Sequence, residues 1–185
     1  MAKSKILTVG FFFSVLFLNI VSASHIKYPV IKTGDIIFRK ENSFLSNRFE
    51  KLDGRGYSHI GIIYIKEQQI YVLHIERNSE ENDLKIVTLK TFLKDATKYK
   101  IKRLKKIYSE KSIETNIKKL IKSNPAFDLN FDLSTDNKLY CTELVYKLYL
   151  KSFHIKLTSK QHTFGYYHYI SVGSILSSDQ LKDIL

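Results

Sequence analysis

The 185-residue chain has one cysteine, Cys141, and is poor in proline and glycine, with two and seven residues. A single cysteine cannot form a disulfide within the chain. Its thiol is therefore buried filler, a link to another chain, or a reactive group. The scarcity of proline and glycine, with no repeat or low-complexity tract, leaves no segment with the composition of a linker. We expect one compact domain.

The first residues have the pattern of an export signal. Lys3 and Lys5 precede an apolar run from Ile6 to Val21, which ends in small residues. This order is typical of a cleaved signal peptide, so residues 1–23 are expected to be removed and residues 24–185 to form the mature domain. An uncleaved membrane anchor is the alternative, because the run is close to the length of a spanning helix. The mature protein is expected to be periplasmic or secreted.

The chain has an excess of positive charge. Lysine and arginine number 30 against 18 acidic residues, which gives a formal net charge of +12. This balance favours anionic partners such as a cell-envelope surface, although scattered lysines could equally serve only to solvate the surface. No nucleic-acid recognition motif accompanies the charge, so a nucleic-acid partner is not expected.

Hydrophobic periodicity predicts an α+β domain, with a small antiparallel sheet packed against helices. Runs rich in isoleucine, valine and tyrosine indicate strands, and two of them, separated by a few polar residues, form a predicted antiparallel hairpin. Apolar residues at helical spacing indicate the helices. The predicted strands are 36–38, 59–65, 70–76, 85–89 and 99–104, and the predicted helices are 42–52, 109–123 and one that begins near Cys141.

Cys141 is the candidate nucleophile because it stands where the last predicted helix begins. Free amides and the helix dipole at a helix N-terminus favour a thiolate, so we expect a depressed thiol pKa. The same amides could hold the oxyanion formed when a carbonyl is attacked.

His59 is the candidate general base because a polar partner is expected beside it. If Glu67 and Gln68 form the hairpin loop, strand pairing sets His59 opposite Glu76; a loop one step shorter sets it opposite His74. A polar partner of this kind orients the imidazole for its work on the thiol. The other histidines, His25, His154, His162 and His168, are interpreted as surface or packing residues, and no metal or cofactor is expected.

Four segments resemble the YaeF and YiiX group of permuted papain-like amidases, relatives of the NlpC-type cell-wall peptidases. In this chain His59 precedes Cys141, whereas in papain the cysteine precedes the histidine. This reversed order is what the word permuted refers to. Phe127 stands where the family has tyrosine. The matching segments are Lys32–Phe38, Tyr57–Gly61, Phe127-Asp128 with Phe131, and Tyr140–Val145.

The resemblance implies a circularly permuted papain-like, NlpC-type fold and a cysteine hydrolase without a cofactor. His74 occupies the position of the residue that orients the base, and Glu76 is the other candidate. The resemblance also implies substrate-binding roles, which fall on Asp35, Tyr57, Tyr140 and Asp128. From the residues alone, Asp35 is equally expected to cap a turn.

The expected reaction is hydrolysis of an amide or ester bond in a cell-envelope peptide, a peptidoglycan-derived compound or an acylated substrate. Two alternatives stay open. One is a lipid hydrolase or acyltransferase of the same fold. The other is a catalytically silent module that binds a ligand in the same cleft.

Overall fold

The computed structural model describes residues 31–41, 55–77 and 83–185. The expected signal peptide, His25 and the expected helix at 42–52 lie outside these residues. Within the described ranges, no helix combines the length and apolar character needed to cross a membrane.

A six-stranded sheet with antiparallel pairing throughout forms the centre of the fold. Its strands are rich in β-branched residues, and successive side chains alternate between two apolar clusters, so both faces of the sheet are covered. In sheet order the strands are β10 (Leu181–Asp183), β5 (Ala96–Leu104), β1 (Ile36–Glu41), β2 (His59–Lys66), β3 (Gln69–Ile75) and β4 (Leu84–Thr88).

The β2–β3 hairpin confirms the first of the two predicted registers. Ile65 pairs with Ile70, and the loop consists of Glu67 and Gln68. Both loop residues have positive φ, 51° and 63°, as a two-residue type I′ turn requires. If this register is continued for three residues beyond the pair of Ile62 and Leu73, His59 lies opposite Glu76.

Within the described residues, four helices accompany the sheet. The first long helix lies close to its predicted limits, 109–123, and the second begins where it was predicted to begin, at Cys141. The first long helix follows Ser109 and ends at Asn124, whose φ of 42° is left-handed. The second begins at Cys141, packs against the first and lies on β2. The helices are α1 (Leu89–Phe92), α2 (Glu110–Ser123), α3 (Cys141–Phe153) and α4 (Val172–Leu176).

Several short elements of the last 60 residues were not predicted from the sequence. β6 (Ala126–Phe127) and β7 (Lys138–Leu139) form a parallel pair, and β8 (His162–Phe164) and β9 (Tyr167–Tyr169) form a hairpin. Each is too short to show a period in the sequence. The α+β class with an antiparallel sheet and packed helices is confirmed.

Candidate active site

Cys141 is the first residue of α3, and the start of this helix is fixed by hydrogen bonds to a distant segment. The hydroxyl of Thr142 donates to the Ile170 carbonyl at 2.5 Å, and the Ile170 amide donates to the Tyr140 hydroxyl at 3.0 Å. Glu143 accepts from the Tyr140 amide at 3.2 Å, which satisfies one of the free donors at the helix start. These contacts hold the half-buried thiol in place.

The thiol of Cys141 is protonated at neutral pH. Burial raises its pKa to about 11, while the backbone amides of Thr142, Cys141 and Ile60 act in the opposite direction. The expected depression of the pKa is therefore corrected: the amides do favour the thiolate, but the loss of solvation outweighs them. The contribution of Ile60 also shows that the thiol lies beside the residue that follows His59.

His59 forms its hydrogen bond with His74. The two atoms, His59 Nε2 and His74 Nδ1, are 3.0 Å apart. Glu76 Oε2 is 3.9 Å from each of them, too far for a hydrogen bond. Although the register sets His59 opposite Glu76, its ring leans along the sheet to His74. The structure thus brings together three of the predicted site residues and leaves the Nδ1 atom of His59 without a hydrogen bond to a described residue.

Gly61 makes room for this histidine pair. The register of the hairpin sets it opposite His74. A Cβ atom at Gly61 would lie 2.5 Å from Cγ1 of Val72 and 3.3 Å from Cβ of His74. Any side chain at this position would press on the strand that carries His74.

Phe92 and Arg39 complete the site, and sequence reasoning missed both. The Phe92 ring lies 5.8 Å from the ring of His59 and 5.1 Å from that of His74. The Arg39 guanidinium lies 4.2 Å from the Phe92 ring centre and donates to the Phe92 carbonyl at 2.5 Å. The sequence did give one indication of Arg39, because a charged residue directly follows the apolar run Ile36–Phe38. In the sheet, Arg39 lies opposite His59 on the neighbouring strand.

The electrostatics of the cluster keep both imidazoles neutral. Burial lowers the pKa of His59 well below its usual value, and the neighbouring His74, Arg39 and Lys85 side chains also disfavour a proton on its ring. Burial likewise lowers the pKa of His74, to about 4. Since both rings are uncharged at neutral pH, one nitrogen of the His59–His74 pair donates and the other accepts.

Glu76 stays ionised beside these rings. Burial alone would raise its pKa, but the hydrogen bond from Lys85 at 3.0 Å and the nearby positive charges bring it below the usual value. Arg39 lies 3.3 Å from the other carboxylate oxygen. Glu76 therefore connects the histidine pair to two cations.

Asp35 and Tyr57, two of the expected substrate-binding residues, are enclosed by the protein. Asp35 has no exposed surface, pairs with Arg103 through two contacts of 2.7 Å, and accepts from the Lys32 amide at 2.8 Å. Tyr57 packs edge-on against Phe38, with ring centres 6.1 Å apart. These are the contacts of residues that hold a turn and a core.

Tyr140 and Asp128, the other two, are each 2% exposed. Tyr140 precedes α3 and uses its hydroxyl to hold Ile170. Asp128 accepts from the amides of Asn130 and Asp132, at 2.8 and 2.5 Å, and so shapes the loop before the helix. All four expected substrate contacts have little or no surface to offer a ligand, and their visible role is to support the site.

The histidine pair and Glu76 could also hold a metal ion. One ligand atom from each of His59, His74 and Glu76 can be chosen so that all three lie within 4.8 Å of one another. Zinc bonds of about 2.0–2.1 Å at a tetrahedral angle set two nitrogens about 3.3 Å apart, close to the 3.0 Å between the two rings. The donor set therefore fits a divalent ion after a small separation of the rings.

The order of these elements defines the class of protein. A histidine at the start of a strand precedes a cysteine at the start of a helix packed on that strand, in permuted papain-like order. Residues 30–182 match the family of permuted papain-like amidase enzymes, YaeF/YiiX, C92 family, and the chain belongs to this family. The resemblance stated from the sequence is confirmed.

Two relatives from Escherichia coli show the extent of the similarity. The uncharacterized protein YiiX of strain K12 is 24% identical over 135 residues, which cover 70% of this chain and 63% of that protein. The crystal structure of the metalloprotein YiiX of O157:H7 has a TM-score of 0.69 at 20% identity, over 83% of this chain and 96% of that one. At this identity, the structural match shows a shared fold.

Proposed function

We propose that the protein is an exported cysteine hydrolase that cleaves an amide or ester bond, with Cys141 as nucleophile and His59 as general base. The observation that carries the proposal is the hydrogen bond between His59 and His74. It occupies Nε2 of His59 and leaves Nδ1 for the thiol proton, beside a helix that begins with the cysteine.

The proposed reaction begins from a neutral thiol and a neutral imidazole. Burial favours the neutral form of each group, so the proton moves from Cys141 to His59 as the sulfur attacks the carbonyl carbon. The π electrons of the carbonyl move to oxygen, and the amides of Cys141, Thr142 and Ile60 are the available donors to the resulting oxyanion. Collapse expels the amine or alcohol, which takes the proton from His59.

The second half of the reaction releases the acyl group. Water attacks the thioester while His59 accepts its proton, and Cys141 leaves as the thiol when that proton returns to sulfur. His74 holds the ring of His59 through both halves, in the position that a carboxylate or amide occupies in other triads. Glu76 stabilises positive charge that develops on the histidine pair.

The proposed substrate is a cell-envelope peptide, a peptidoglycan-derived compound or an acylated molecule. The basic composition and the export pattern of residues 1–23 support an envelope substrate in the periplasm or outside the cell. We also propose that the chain is related to the NlpC-type cell-wall peptidases. A lipid hydrolase or acyltransferase would use the same thioester and differ only in the acyl donor or acceptor.

An acylation experiment tests the proposed mechanism without knowledge of the natural substrate. The mature protein is mixed with p-nitrophenyl acetate, and intact mass and nitrophenol release are followed with time. We expect one acetyl group per chain and a rapid burst, both absent from Cys141→Ala. His59→Ala should slow acylation by about 100-fold or more, the usual size of a general-base effect.

His168→Ala is the matched control, because His168 is an exposed histidine on β9. Acylation of His168→Ala at the wild-type rate assigns the effect to His59. Equal acylation of wild type and His59→Ala would overturn the general-base assignment. A wild-type protein that takes up no acetyl group would favour the silent binding module.

A metal-binding protein is the second candidate, favoured by the geometry of His59, His74 and Glu76. The structural relative from E. coli O157:H7 is described as a metalloprotein. A divalent ion on these three residues would supply Lewis-acid polarisation of a bound carbonyl. The positive charges of Arg39 and Lys85 beside Glu76 oppose its binding.

Cobalt binding tests this second candidate. Co²⁺ is titrated into the mature protein and its visible absorption is recorded, with His74→Gln as the ligand variant and His168→Ala as the control. Saturation at one ion per chain that is lost only in His74→Gln would support the metal site. Identical spectra for His74→Gln and wild type would refute it and leave the acylation result unaffected.

A further inference from the structure

A polar cavity lies beside α4, apart from the His59–His74 pair. Its volume is about 340 Å³, which is within the range of small-molecule sites. The lining includes hydroxyl side chains from two segments, 157–160 and 171–179, with cationic groups at its edge. None of the residues proposed for catalysis lines this cavity.

Three side chains form the inner wall of the cavity. His162 Nε2 lies 2.9 Å from Oγ of Ser174 and 3.1 Å from Oγ of Ser171, and the two hydroxyl oxygens are 2.9 Å apart. Ser171 is 4% and Ser174 9% exposed. The Ser174 amide donates to the Ser171 hydroxyl at 3.0 Å, which fixes the triangle to the start of α4. The wall is therefore pre-ordered.

Two cations at the edge of the cavity have no ion-pair partner among the described residues. Arg55 and Lys160 both line it, and both are exposed. The Lys160 amide donates to the hydroxyl of Thr158 at 3.0 Å, which holds the loop that carries the lysine. Guanidinium and ammonium groups beside several hydroxyl groups match the oxygens of a phosphate group.

Asp179 gives the cavity a second kind of contact. Its carboxylate is the only acidic side chain of the lining. It would repel a bare anion but accept hydrogen bonds from alcohol groups. The combination of two cations, several hydroxyls and one carboxylate suits a ligand with a phosphate at one end and free hydroxyls at the other.

We propose that this cavity binds the phosphate group of a polyol phosphate, with Arg55 and Lys160 on the phosphate oxygens, and His162, Ser171 and Ser174 as the polar wall. The site is additional to the proposed hydrolase site and does not depend on it. The same chemistry occurs in a soluble sugar or glycerol phosphate and in the headgroup of a phospholipid. The cavity could therefore bind either a soluble polyol phosphate or a lipid headgroup, and the two experiments below distinguish them.

Calorimetric titration of the mature protein tests the soluble source. The probes are sn-glycerol 3-phosphate, inorganic phosphate and glycerol, each measured also on Cys141→Ala to separate binding from catalysis. We expect glycerol 3-phosphate to bind with the highest affinity, phosphate more weakly and glycerol without detectable heat. Arg55→Gln and Lys160→Gln should each lower the affinity about tenfold or more, the effect of one charge-assisted contact.

Vesicles test the lipid source. Sedimentation with phosphatidylglycerol vesicles is compared with phosphatidylcholine vesicles at physiological salt. Binding to the anionic vesicles that Lys160→Gln weakens, without binding of glycerol 3-phosphate, would identify the headgroup as the source. Binding of the soluble probe in calorimetry would identify the free compound.

Lys119→Gln is the matched control, since Lys119 is an exposed lysine on α2. It removes one positive charge far from the cavity in sequence and should leave both assays unchanged. If Lys119→Gln and Lys160→Gln weaken binding equally, the protein attracts phosphate only through its net charge and the proposal fails. The proposal also fails if the protein binds neither glycerol 3-phosphate nor phosphatidylglycerol vesicles.

Discussion

At the residue scale, Cys141 and His59 share an unusual condition, because burial holds both in their neutral forms. The thiol pKa is raised to about 11 and the imidazole pKa is lowered. A resting thiolate–imidazolium pair is therefore disfavoured. In the proposed reaction, charge would develop only when the oxygen of a substrate carbonyl can take part of it, so attack on a carbonyl would not require a thiol that reacts readily with other electrophiles.

The first prediction concerns the pH dependence of alkylation. The rate at which iodoacetamide modifies Cys141, followed by intact mass, should keep rising from about pH 6 to about pH 10 without reaching a plateau, because a thiol pKa of about 11 keeps the thiolate a minor but growing fraction over that range. A plateau already reached near pH 6 would show an ion pair in the resting protein and would contradict the neutral pair. His59→Ala, measured alongside, shows how much of the rate depends on the imidazole.

The second prediction separates His74 from Glu76. His74 is hydrogen bonded to His59 at 3.0 Å, whereas Glu76 is 3.9 Å away. His74→Ala should lower the rate of acylation by p-nitrophenyl acetate about tenfold to 100-fold, and Glu76→Ala by less than about fivefold. These sizes follow from the loss of a direct orienting hydrogen bond and of a screened charge, respectively. A larger loss for Glu76→Ala would make the carboxylate the orienting group.

Sequence reasoning pointed to those residues of the candidate site whose side-chain chemistry suggests a role in catalysis. Cys141, His59, His74 and Glu76 were reachable because strand parity and a helix start have regular geometry. Phe92 was not, since a phenylalanine at the end of a four-residue helix looks like any core residue. Arg39 gave a signal, but its stacking on Phe92 depends on a contact between residues 53 apart in the chain.

At the element scale, the β2–β3 hairpin sets the geometry of the histidine pair. Its two-residue turn fixes the register, and a slip of one residue would turn every side chain of β3 to the other face of the sheet. His74 would then face away from His59. The turn is made by Glu67 and Gln68, although left-handed residues of such turns are usually asparagine or glycine.

The third prediction follows from this turn. Gln68→Gly should raise the free energy of unfolding by about 0.5–1 kcal/mol, because glycine adopts a φ of 63° without steric cost. Urea denaturation measures the change, and the acylation rate should not move. Gln69→Gly, one residue into β3, is the control and should destabilise by a similar amount. A loss of stability in Gln68→Gly would contradict the turn geometry.

The elements themselves were predictable where they are long and regular. Strands β1, β2, β3 and β5 and the two long helices follow clear apolar periods. In residues 126–139 and 162–183 the strands have only two or three residues each, too few to show a period, and some also depend on a partner far away in the chain. β10, for example, has only three residues, and its place is given by β5.

At the scale of the whole molecule, the buried histidines connect the site to the stability of the fold. The pKa of His74 is about 4 in the folded protein, against 6.5 for an unperturbed histidine. Between these values the unfolded chain binds a proton that the folded protein does not. Stability is therefore lost as the pH falls from about 6.5 to about 4, by up to about 3 kcal/mol from His74.

The fourth prediction tests this coupling. Urea denaturation of the wild type and of His74→Gln is compared at pH 7.5 and at pH 4.5. The wild type should lose more stability on acidification than His74→Gln, by about 2 kcal/mol or more, since glutamine does not titrate. Equal losses in the two proteins would mean that His74 is already charged in the folded state.

Hydrogen bonds between α3 and segments distant in the chain affect the order in which the molecule folds. The hydroxyl of Tyr149 in α3 donates to the Gly34 carbonyl at 2.5 Å, across 115 residues, and Thr142 reaches forward to Ile170. Contacts between such distant residues form late, because the intervening chain must close first. If the protein is exported as proposed, a chain that emerges from the translocation channel from its N-terminus would gain its histidine hairpin early and its cysteine helix near the end. The proposed hydrolytic activity would then appear only after nearly all of the described chain had crossed.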